Sequence, residues 1–430
     1  MLAAEPIAEL TQVFGEAARF VVNGKTVDQD ANVGVLWRRV SERIGAWPTG
    51  PQALGPGWIG YVGFEAAGQL ERLPQSHPPD LGLPPVRMGL FDLVLVHDGV
   101  KQQTSAIEAV GLAERLHDLG ATLSKRQDDW IERWTAGPNS NAIGKAAIEL
   151  PPVEVEIEHS RWAYDHMVGR ALDYIAAGDI YQVNLCQRLR LTGLTQPFER
   201  YLNLRTHNPA PYGGFISLPE GCVLSASPEL FLEVRGREVL TRPIKGTRPR
   251  TGDADQDAVY RQELLASEKD AAELAMIIDL HRNDLGRVCE YGSIVVENAR
   301  RVEAHARVWH TLADIRGRLA AGRGALDLLA ASFPAGSISG VPKIRALEII
   351  DELEPVARGV YTGAIGALGL DGQMTMSVAI RIVQCGPGGA ALYVGGGIVA
   401  DSDPDAEYEE TLAKARGVLE GLGARPTVEA

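Results

Sequence analysis

The sequence predicts an α+β fold with large, mostly antiparallel sheets and flanking helices. Short apolar runs alternate with turn signals along residues 1–125, and tight turns join successive strands after residue 220. Helical segments occur between these strands without the regular strand–helix–strand rhythm of a parallel sheet. Of the 430 residues, 45% are hydrophobic and 23% are charged, which is the composition of a folded soluble protein.

The N-terminal region is predicted to contribute strands and one helix. Apolar runs form GWIGYVGFE (57–65) and GLFDLVLVHDG (89–99), and Asp98-Gly99 is a typical turn at the end of the second strand. Apolar residues recur with helical spacing along residues 107–126, which predicts a helix there.

A polar stretch with prolines separates this region from the rest of the chain. It includes AGPNSN (136–141) and LPPVEVE (150–156), which are typical of a linker or a crossover connection. We therefore expect an N-terminal part at residues 1–150, weakly separate, and a larger part at residues 151–430.

From residue 160 onward, helices are predicted where a capping residue precedes a helical pattern. Ser160 and Ser267 each begin such a pattern, and Asp403 is followed by Pro404, which suits the first helical turn. The predicted helices are 160–177, 267–283, the segment after the glycine-rich loop within 332–355, and 403–423. The predicted strands are 182–191, three strands within 221–247, a hairpin around Asp371-Gly372, and 391–400.

Charge and cysteine content exclude several functional classes. The net charge of −14 disfavours binding of nucleic acid or an anionic membrane, so an anionic substrate must meet a local basic patch or a metal ion. The four cysteines have neither zinc-site nor redox-pair spacing. With no signal-peptide pattern at the start and no apolar run of roughly 18 residues, we expect a cytoplasmic protein.

The first candidate site is the basic segment PIKGTRPR (243–250). From Arg242 to Arg250 the chain holds four basic residues, including Lys245, and no acid. One interpretation is a solvated basic loop at the end of a strand. The other is an anion pocket in which neighbouring positive charges favour the neutral form of Lys245, so that its amine acts as nucleophile or base.

Glu229 is the candidate general acid. If residues 229–235 pair with 237–243 across an Arg235-Gly236 turn, Glu229 and Lys245 lie at the same end of that hairpin. A carboxyl beside a reactive amine is suited to proton donation. The alternative is that Glu229 is a surface residue of a strand.

Carboxylates at two places are candidate magnesium ligands. Residues 401–410 contain six acids and no base, so they would repel a pyrophosphate even though glycines 395–397 precede them. Glu407 and Glu410 share one helix face, and Glu273 on another helix could complete a Mg²⁺ site, because this ion prefers oxygen ligands. The alternative is that the acids at 401–410 only cap a helix.

The loop GSISG (336–340) is a candidate anion-binding loop. Backbone N–H groups and the Ser339 hydroxyl at a helix start can hold a carboxylate or phosphate, and Lys343 adds positive charge. The spacing of a P-loop is missing. A single histidine such as His310 is more often a hydrogen-bonded core residue than a catalyst.

In combination, these segments resemble the chorismate-utilising enzyme family. The segments that carry the resemblance are GDIYQVNL (178–185), SASPELFL (225–232), PIKGTRPR, SEKDAAEL with DLHRNDLGRV, FPAGSISGVPKIRALEIIDELEP, YTGAIG and GGGIVADSDPDAEYEET. They run through nearly all of 160–420. The resemblance implies an α/β sandwich of two large antiparallel sheets flanked by helices, with a chorismate-binding catalytic domain at 151–430.

Two positions indicate a branch of this family. PIKGT with Lys245 is similar to the aminodeoxychorismate synthases, whereas anthranilate synthases typically read PIAGT. Gln182 stands where isochorismate and salicylate synthases carry a lysine base, which points to ammonia as the nucleophile. The resemblance therefore implies amination of chorismate to 4-amino-4-deoxychorismate, in 4-aminobenzoate and folate synthesis. The alternatives are anthranilate synthesis and, from another class, non-catalytic chorismate binding.

The resemblance also implies roles for individual residues. Lys245 would form a covalent adduct with the substrate while Glu229 protonates the departing hydroxyl. Mg²⁺ would be held by Glu273 and Glu410, with Glu407 close by. The substrate-binding residues that motif matching implies are Gln182, Gly246, Thr247, His310, Ser339, Lys343, Tyr361, Arg381, Gly395, Gly396 and Gly397.

The chain departs from the family pattern at a few positions. Leu230 stands where arginine is usual, and Ala335 and Ser339 replace the common glycine and threonine. The LLES-type signature of a tryptophan feedback site is not visible near the N-terminus. The chain shows no glutaminase motif, so the resemblance implies that ammonia comes from solution or from a separate glutamine amidotransferase subunit.

Overall fold

The protein contains two large β-sheets with helices around them. The computed structural model describes residues 1–48, 55–117 and 150–426. Short 3₁₀ helices occupy Phe64–Gln69 and Gly336–Ile338. The α-helices are α1 (Val33–Ile44), α2 (Leu112–His117), α3 (Arg161–Ala176), α4 (Pro197–His207), α5 (Ala254–Ala266), α6 (Glu268–Gly286), α7 (Ala325–Ser332), α8 (Lys343–Leu353) and α9 (Pro404–Leu422).

The strands divide into a sheet of twelve, a sheet of eight and a separate pair. The larger sheet contains β1 (Ala8–Gln12), β2 (Ala18–Val22), β3 (Lys25–Asp30), β4 (Gly57–Val62), β5 (Val86–Phe91), β12 (Leu230–Arg235), β13 (Glu238–Arg242), β14 (Ile244–Pro249), β15 (Val295–Ala304), β16 (Val308–Arg318), β18 (Ala364–Gly369) and β19 (Met374–Val378). The smaller sheet contains β8 (Val153–Ile157), β9 (Gln182–Thr192), β10 (Tyr212–Ser217), β11 (Cys222–Ser227), β17 (Gly340–Val341), β20 (Ile382–Gly386), β21 (Gly389–Ile398) and β22 (Ala424–Pro426). The pair is β6 (Leu93–Asp98) with β7 (Gln103–Glu108).

Strand pairing in the larger sheet joins the N-terminal segment to the rest of the chain. The order is β14-β16-β13-β12-β19-β18-β4-β5-β1-β2-β3, with β15 beside β16. The junction is the antiparallel pair β4–β18, in which Gly60 lies opposite Gly366. Among the described strand pairs, only β22 and β8 run parallel. The predicted α+β fold with large antiparallel sheets is thereby confirmed.

The two sheets pack face to face, and helices cover their outer faces. Side chains of both sheets meet in one core, which includes Tyr61, Val223, Tyr361, Ile382 and Tyr393. Helices α1, α6 and α7 bury their apolar sides against the larger sheet, and α4 and α9 pack on the smaller one. No helix within the described ranges is long and apolar enough to cross a membrane.

The helix starts follow from the capping residues that the sequence shows. The hydroxyl of Ser160 accepts a hydrogen bond from the backbone N–H of Ala163, and Ser267 caps α6 in the same way. Asp403 caps α9, which ends where Gly423 adopts a left-handed conformation with φ of 69°. These predictions are confirmed, and they place the acidic face of α9 beside β21.

Three sequence-based expectations differ from the structure. The single strand predicted at 89–99 is two strands, because β5 pairs with β4 and β1 whereas β6 pairs with β7. The segment 107–126 was predicted as one helix, but its first residues belong to β7 and helix begins only at Leu112–His117. Its later residues and the linker segment 136–141 lie outside the described residues. The segment 243–250, expected at the end of a strand, is itself largely the strand β14, so the interpretation as a basic loop is wrong.

Candidate active site

Lys245 lies on the edge strand β14, where the pairing with β16 is interrupted by a bulge. The register shifts between Lys245 and Thr247, and Gly246 between them has φ of 81°, a conformation that disfavours side chains. A Cβ at Gly246 would lie 2.8 Å from Oγ1 of Thr311. That hydroxyl donates a hydrogen bond to the carbonyl of Lys245, so the bulge fixes the backbone that carries the amine.

The side chain of Lys245 lies beside a carboxylate, and the arginines near it in the sequence contact other groups. Its Nζ lies 3.9 Å from Oε2 of Glu273, and the two side chains are only 12% and 15% exposed. The neighbouring arginines turn elsewhere: Arg242 to Asp314 at 2.7 Å, Arg248 to Glu263 at 3.3 Å, and Arg250 to the ring of Trp309 at 5.4 Å. The expected cationic niche around Lys245 is therefore wrong, because each arginine has another partner.

Glu229 is a buried acid close to Lys245. It follows β11 and precedes β12, and only 4% of it is exposed. The hydroxyl of Ser337 donates a hydrogen bond of 2.6 Å to its Oε1. Burial raises the pKa of Glu229 to about 7, although the Ser337 hydrogen bond and the charge of Lys245 oppose the rise. A fraction of this carboxyl is therefore protonated near neutral pH, as a general acid requires.

The three carboxylates that were predicted to bind metal each lie beside a lysine. Glu273 lies beside Lys245, as described above. For Glu410, Oε1 lies 2.6 Å from Nζ of Lys414. For Glu407, Oε1 accepts a hydrogen bond of 2.7 Å from the hydroxyl of Ser402 and lies 3.8 Å from the Nζ of a third lysine, Lys269. These lysines balance the negative charge that gathers between α6 and α9.

The carboxylates of Glu273 and Glu410 are near enough for the charge of Glu410 to act on Glu273. Burial and the charges of Asp270 and Glu410 raise the pKa of Glu273. Burial also acts to raise the pKa of Glu410, but the positive charges of Lys414, Lys269 and Lys245 outweigh it and hold that pKa low.

These two carboxylates fit a magnesium ion that takes most of its ligands from water and substrate. Mg²⁺ often uses only one or two protein carboxylates, and Glu273 and Glu410 would supply two. Within the described residues, no group of three or more His, Cys, Asp or Glu side chains is arranged to hold a metal. Glu407 is already engaged by Ser402, so it fits the role of a ligand less well.

Glycines on β21 leave space beside Lys245. Gly395, Gly396 and Gly397 pair with β9. A Cβ at Gly397 would lie 2.6 Å from the amide nitrogen of Gln182 and 3.5 Å from Nζ of Lys245. Both amide atoms of Gln182 are buried without a hydrogen-bond partner in the described part of the chain. A polar molecule bound here would satisfy them.

Thr247 and His310 form a pair on the neighbouring strands β14 and β16. Oγ1 of Thr247 and Nδ1 of His310 are 3.0 Å apart. Burial lowers the pKa of His310 to about 3, with smaller contributions from His305 and Arg381. The imidazole is therefore neutral, so it serves as a hydrogen-bonding and packing group rather than a cation.

Arg381 supplies positive charge without a carboxylate partner among the described residues. Its backbone has φ of 54°, at the turn that leads into β20. Burial lowers its pKa, and the charges of Tyr361 and Glu410 oppose that shift. Tyr361 stacks on Tyr393 with ring centroids 5.4 Å apart, which fixes the orientation of the Tyr361 ring. Such a cation is suited to a carboxylate on a substrate.

The model of the family of chorismate binding enzymes matches residues 2–420. The chain belongs to this family of chorismate-utilising enzymes. It is 41% identical over 403 residues to anthranilate synthase component 1 of Thermus thermophilus, covering 94% of this chain and 85% of that protein. It is 39% identical over 366 residues to aminodeoxychorismate synthase component 1 of Klebsiella aerogenes, covering 85% and 77%. The crystal structure of anthranilate synthase component I from Streptococcus pneumoniae matches with a TM-score of 0.84 and 32% identity, covering 97% and 91%.

Two residues predicted to bind chorismate have other contacts. The hydroxyl of Ser339 donates a hydrogen bond of 3.0 Å to the carbonyl of Ala335. The carbonyl of Ser339 accepts a hydrogen bond from the backbone N–H of Asn184 on β9. Nζ of Lys343 donates to Asp284 at 2.7 Å and to the carbonyl of Ser332 at 2.8 Å. Ser339 therefore lies next to β9, whereas Lys343 forms a buried ion pair that joins α8 to α6.

Sequence reasoning missed Ser337, Lys269 and Lys414. Ser337 lies inside the predicted anion-binding loop, but its hydroxyl donates a hydrogen bond to Glu229. The spacing of Glu410 and Lys414, four residues apart on one helix, was a signal for their pairing. Lys269 carried no comparable signal, because its contact with Glu407 joins two helices that are distant in sequence.

Proposed function

We propose that this chain aminates chorismate at C4 to give 4-amino-4-deoxychorismate, with Mg²⁺ bound and with a transient covalent bond to Lys245. The observation that carries the proposal is the placement of the Lys245 amine near a protonatable carboxyl, Glu229, and 3.9 Å from the acidic Glu273. In this proposal Lys245 is the nucleophile, Glu229 is the proton donor, and Glu273 is a ligand of the cation.

The reaction can be written with the chain's own groups. The amine of Lys245 attacks C2 of chorismate, the ring double bonds shift, and the C4–O bond breaks. Glu229 gives its proton to the departing hydroxyl, which leaves as water. Ammonia then adds at C4, the double bonds shift back, and the C2–N bond to Lys245 breaks. The amine and the carboxyl return to their starting states once the proton that ammonia loses has reached Glu229.

Other residues bind and orient the substrate in this proposal. Arg381 faces one carboxylate of chorismate, and the neutral His310 packs near the ring. The buried amide of Gln182 offers an acceptor to the incoming ammonia. Glu273 and Glu410 would hold Mg²⁺, whose charge would neutralise the ring carboxylate and make the ring more electrophilic.

Anthranilate synthesis is the second candidate. Relatives with that name reach 41% identity, against 39% for one named aminodeoxychorismate synthase, so overall similarity supports either activity. Lys245 favours amination at C4, because the alanine that anthranilate synthases typically carry at this position could not form the adduct.

The product decides between the two candidates. Purified protein is incubated with chorismate, ammonium and Mg²⁺, and the products are separated and identified by mass spectrometry. We expect a non-aromatic amino compound that becomes 4-aminobenzoate only after a lyase is added. Fluorescent anthranilate with release of pyruvate would instead establish the second candidate, and unchanged chorismate would support a binding protein without catalysis.

We also propose that a separate glutamine amidotransferase subunit supplies the ammonia. The relatives are named as component 1 of their synthases, which supports a second component. Copurification with amidotransferases from the same genome, followed by an assay with glutamine in place of ammonium, tests this. We expect one of them to confer glutamine-dependent turnover, and a lack of stimulation by every candidate would contradict the proposal.

A further inference from the structure

Arg358 is a fully buried arginine whose five N–H donors all have acceptors. Only 1% of the residue is exposed, and its guanidinium lies 4.5 Å from the ring centre of Phe64. Two donors form a fork with the carboxylate of Glu354, at 2.5 and 2.8 Å. The other three donate to the carbonyl of Asn184 at 2.7 Å, to the carbonyl of Ile338 at 3.2 Å and to Oγ1 of Thr362 at 3.2 Å.

These last three contacts reach three different segments of the candidate site. Asn184 is on β9, two residues after Gln182. Ile338 follows Ser337, whose hydroxyl holds Glu229. Thr362 follows Tyr361 and has φ of 59°, a backbone conformation that is rare for a β-branched residue and therefore needs support from its surroundings.

The carboxylate partner of Arg358 strengthens the same connection. Oε1 of Glu354 also accepts a hydrogen bond of 2.9 Å from the backbone N–H of Cys186, again on β9. The backbone N–H of Arg358 itself donates to Glu65 at 2.8 Å. Since every donor is used and the group is excluded from water, the guanidinium has one orientation, and that orientation fixes the distances between the segments it joins.

We propose that Arg358 is a positioning residue for the proposed reaction: it holds β9, the loop Gly336–Ile338 and the Tyr361-Thr362 turn in the mutual arrangement that the reaction needs. Arg358 touches none of the reacting groups. It acts through Ser337 on the acid Glu229 and through β9 on Gln182. This inference rests on the proposed function, because it concerns the geometry of that site.

Arg358→Lys is the main test, because lysine keeps the charge but cannot form the planar fork or five hydrogen bonds. We expect kcat for chorismate to fall on the order of 10²-fold, since small displacements of catalytic groups cost that much, while KM changes less. Loosening Ser337 removes a hydrogen bond that lowers the pKa of Glu229. The basic limb of the pH profile of kcat should therefore move to higher pH.

Arg200→Lys is the matched control. Arg200 is also fully buried, and its guanidinium donates to the carbonyls of Thr195, Leu422 and Pro151. None of these carbonyls adjoins a residue of the site, since Leu422 is at the far end of α9, twelve residues after Glu410. We expect this variant to lose thermal stability as Arg358→Lys does, with kcat and the pH profile close to those of the wild type. A purely structural role for Arg358 would make the two variants alike.

The outcomes separate this inference from the proposed function. Wild-type protein that consumes no chorismate would refute the proposed function before any variant is compared. If Arg358→Lys folds and its kcat and basic limb match the wild type, or if Arg200→Lys reproduces both changes, the positioning role is refuted. If Arg358→Lys does not fold, Thr362→Val decides: it removes one acceptor and keeps the ion pair, so we expect kcat to fall about tenfold, and an unchanged kcat refutes the role.

Discussion

The hydroxyl of Ser337 donates a hydrogen bond of 2.6 Å to Oε1 of Glu229, across 108 positions of the chain. The bond links the glycine-rich loop before α8 to the connection between β11 and β12. The bond engages Oε1 and so fixes the orientation of the carboxyl. The loop that looked like an anion-binding loop thus also orients the candidate acid.

The first prediction concerns the pH dependence of turnover. Because burial raises the pKa of Glu229 to about 7 and the acid form donates the proton, kcat should fall as the pH rises through about 7. Glu229→Gln removes the proton donor, so we expect kcat to fall by about 10²- to 10⁴-fold and the basic limb to disappear.

Steady-state rates between pH 5.5 and 9, each at saturating chorismate, measure this. Glu238→Gln is the control, since Glu238 is 60% exposed and lies on β13 away from the site. A Glu229→Gln variant with the wild-type rate and the same limb would show that another group is the acid.

The second prediction concerns the covalent step. Lys245→Ala should lower amination on the order of 10²-fold or more, and it should abolish a chorismate-derived adduct on this side chain. Rapid acid quench during turnover, then mass spectrometry of peptides, locates the adduct. Lys101→Ala is the control, with a side chain that is 72% exposed. An adduct on another residue, or full activity without Lys245, would contradict the mechanism but not the family.

The third prediction concerns the metal. Glu273→Gln and Glu410→Gln should each weaken cation binding by about tenfold or more, because each removes one of two carboxylate ligands. Mn²⁺ titration followed by electron paramagnetic resonance, with chorismate present and ammonium absent, measures binding without depending on turnover.

Glu409→Gln on the same helix is the matched control, because that side chain is 63% exposed and pairs with Arg161. Equal affinities in all three variants would remove Glu273 and Glu410 from the metal site. The same titration of Glu407→Gln tests whether Glu407, which Ser402 already engages, contributes to binding.

The fourth prediction contrasts two glycines of β21. A Cβ at Gly397 would meet the end of the Gln182 side chain at 2.6 Å, whereas a Cβ at Gly395 would meet the backbone carbonyl of Leu185 at 2.5 Å. Gly397→Ala should therefore lower activity about tenfold with little loss of stability, since a side-chain end can move. Gly395→Ala should destabilise the fold by about 1–3 kcal/mol, because the backbone cannot move aside.

Thermal unfolding and chorismate kinetics on both variants test the contrast. Gly372→Ala serves as a reference for the backbone effect alone: its φ is 81°, and no atom lies within 4 Å of the added carbon. The reverse result, a stable Gly395→Ala and an unfolded Gly397→Ala, would show that the space beside Gln182 is not where the structure places it.

The fifth prediction concerns stability against pH. Burial raises the pKa of Glu65 to about 7, although backbone N–H groups and the charge of Arg358 lower it. The folded state therefore holds this proton more tightly than the unfolded state, so stability is lost as the pH rises from about 4.5 to about 7.

Glu65→Gln keeps the oxygen that accepts from the N–H of Arg358 and removes the titration. We expect the fall in unfolding free energy between pH 5 and 8 to be smaller in this variant by about 2–3 kcal/mol. Calorimetry at several pH values measures it. A pH dependence identical to that of the wild type would show that Glu65 is ionised throughout.

Much of the fold and some of the site could be predicted from short stretches of sequence. Ser160, Ser267 and Asp403 mark helix starts because their side chains cap the next turn, within three residues. The nearness of Glu229 and Lys245 follows from the turn between β12 and β13, which sets the register. The strand at 89–99 was misjudged because its division depends on which strands pair with each half.

What the sequence by itself determined is the local chemistry: which residues cap helices, where strands turn, and which segment offers an amine, an acid and carboxylates. Only the tertiary structure decided that the arginines near Lys245 face other partners, that Lys343 pairs with Asp284, and that Arg358 joins three segments of the site. The reason is physical. Caps and turns depend on neighbours along the chain, whereas charge partners depend on which helices and sheets pack together.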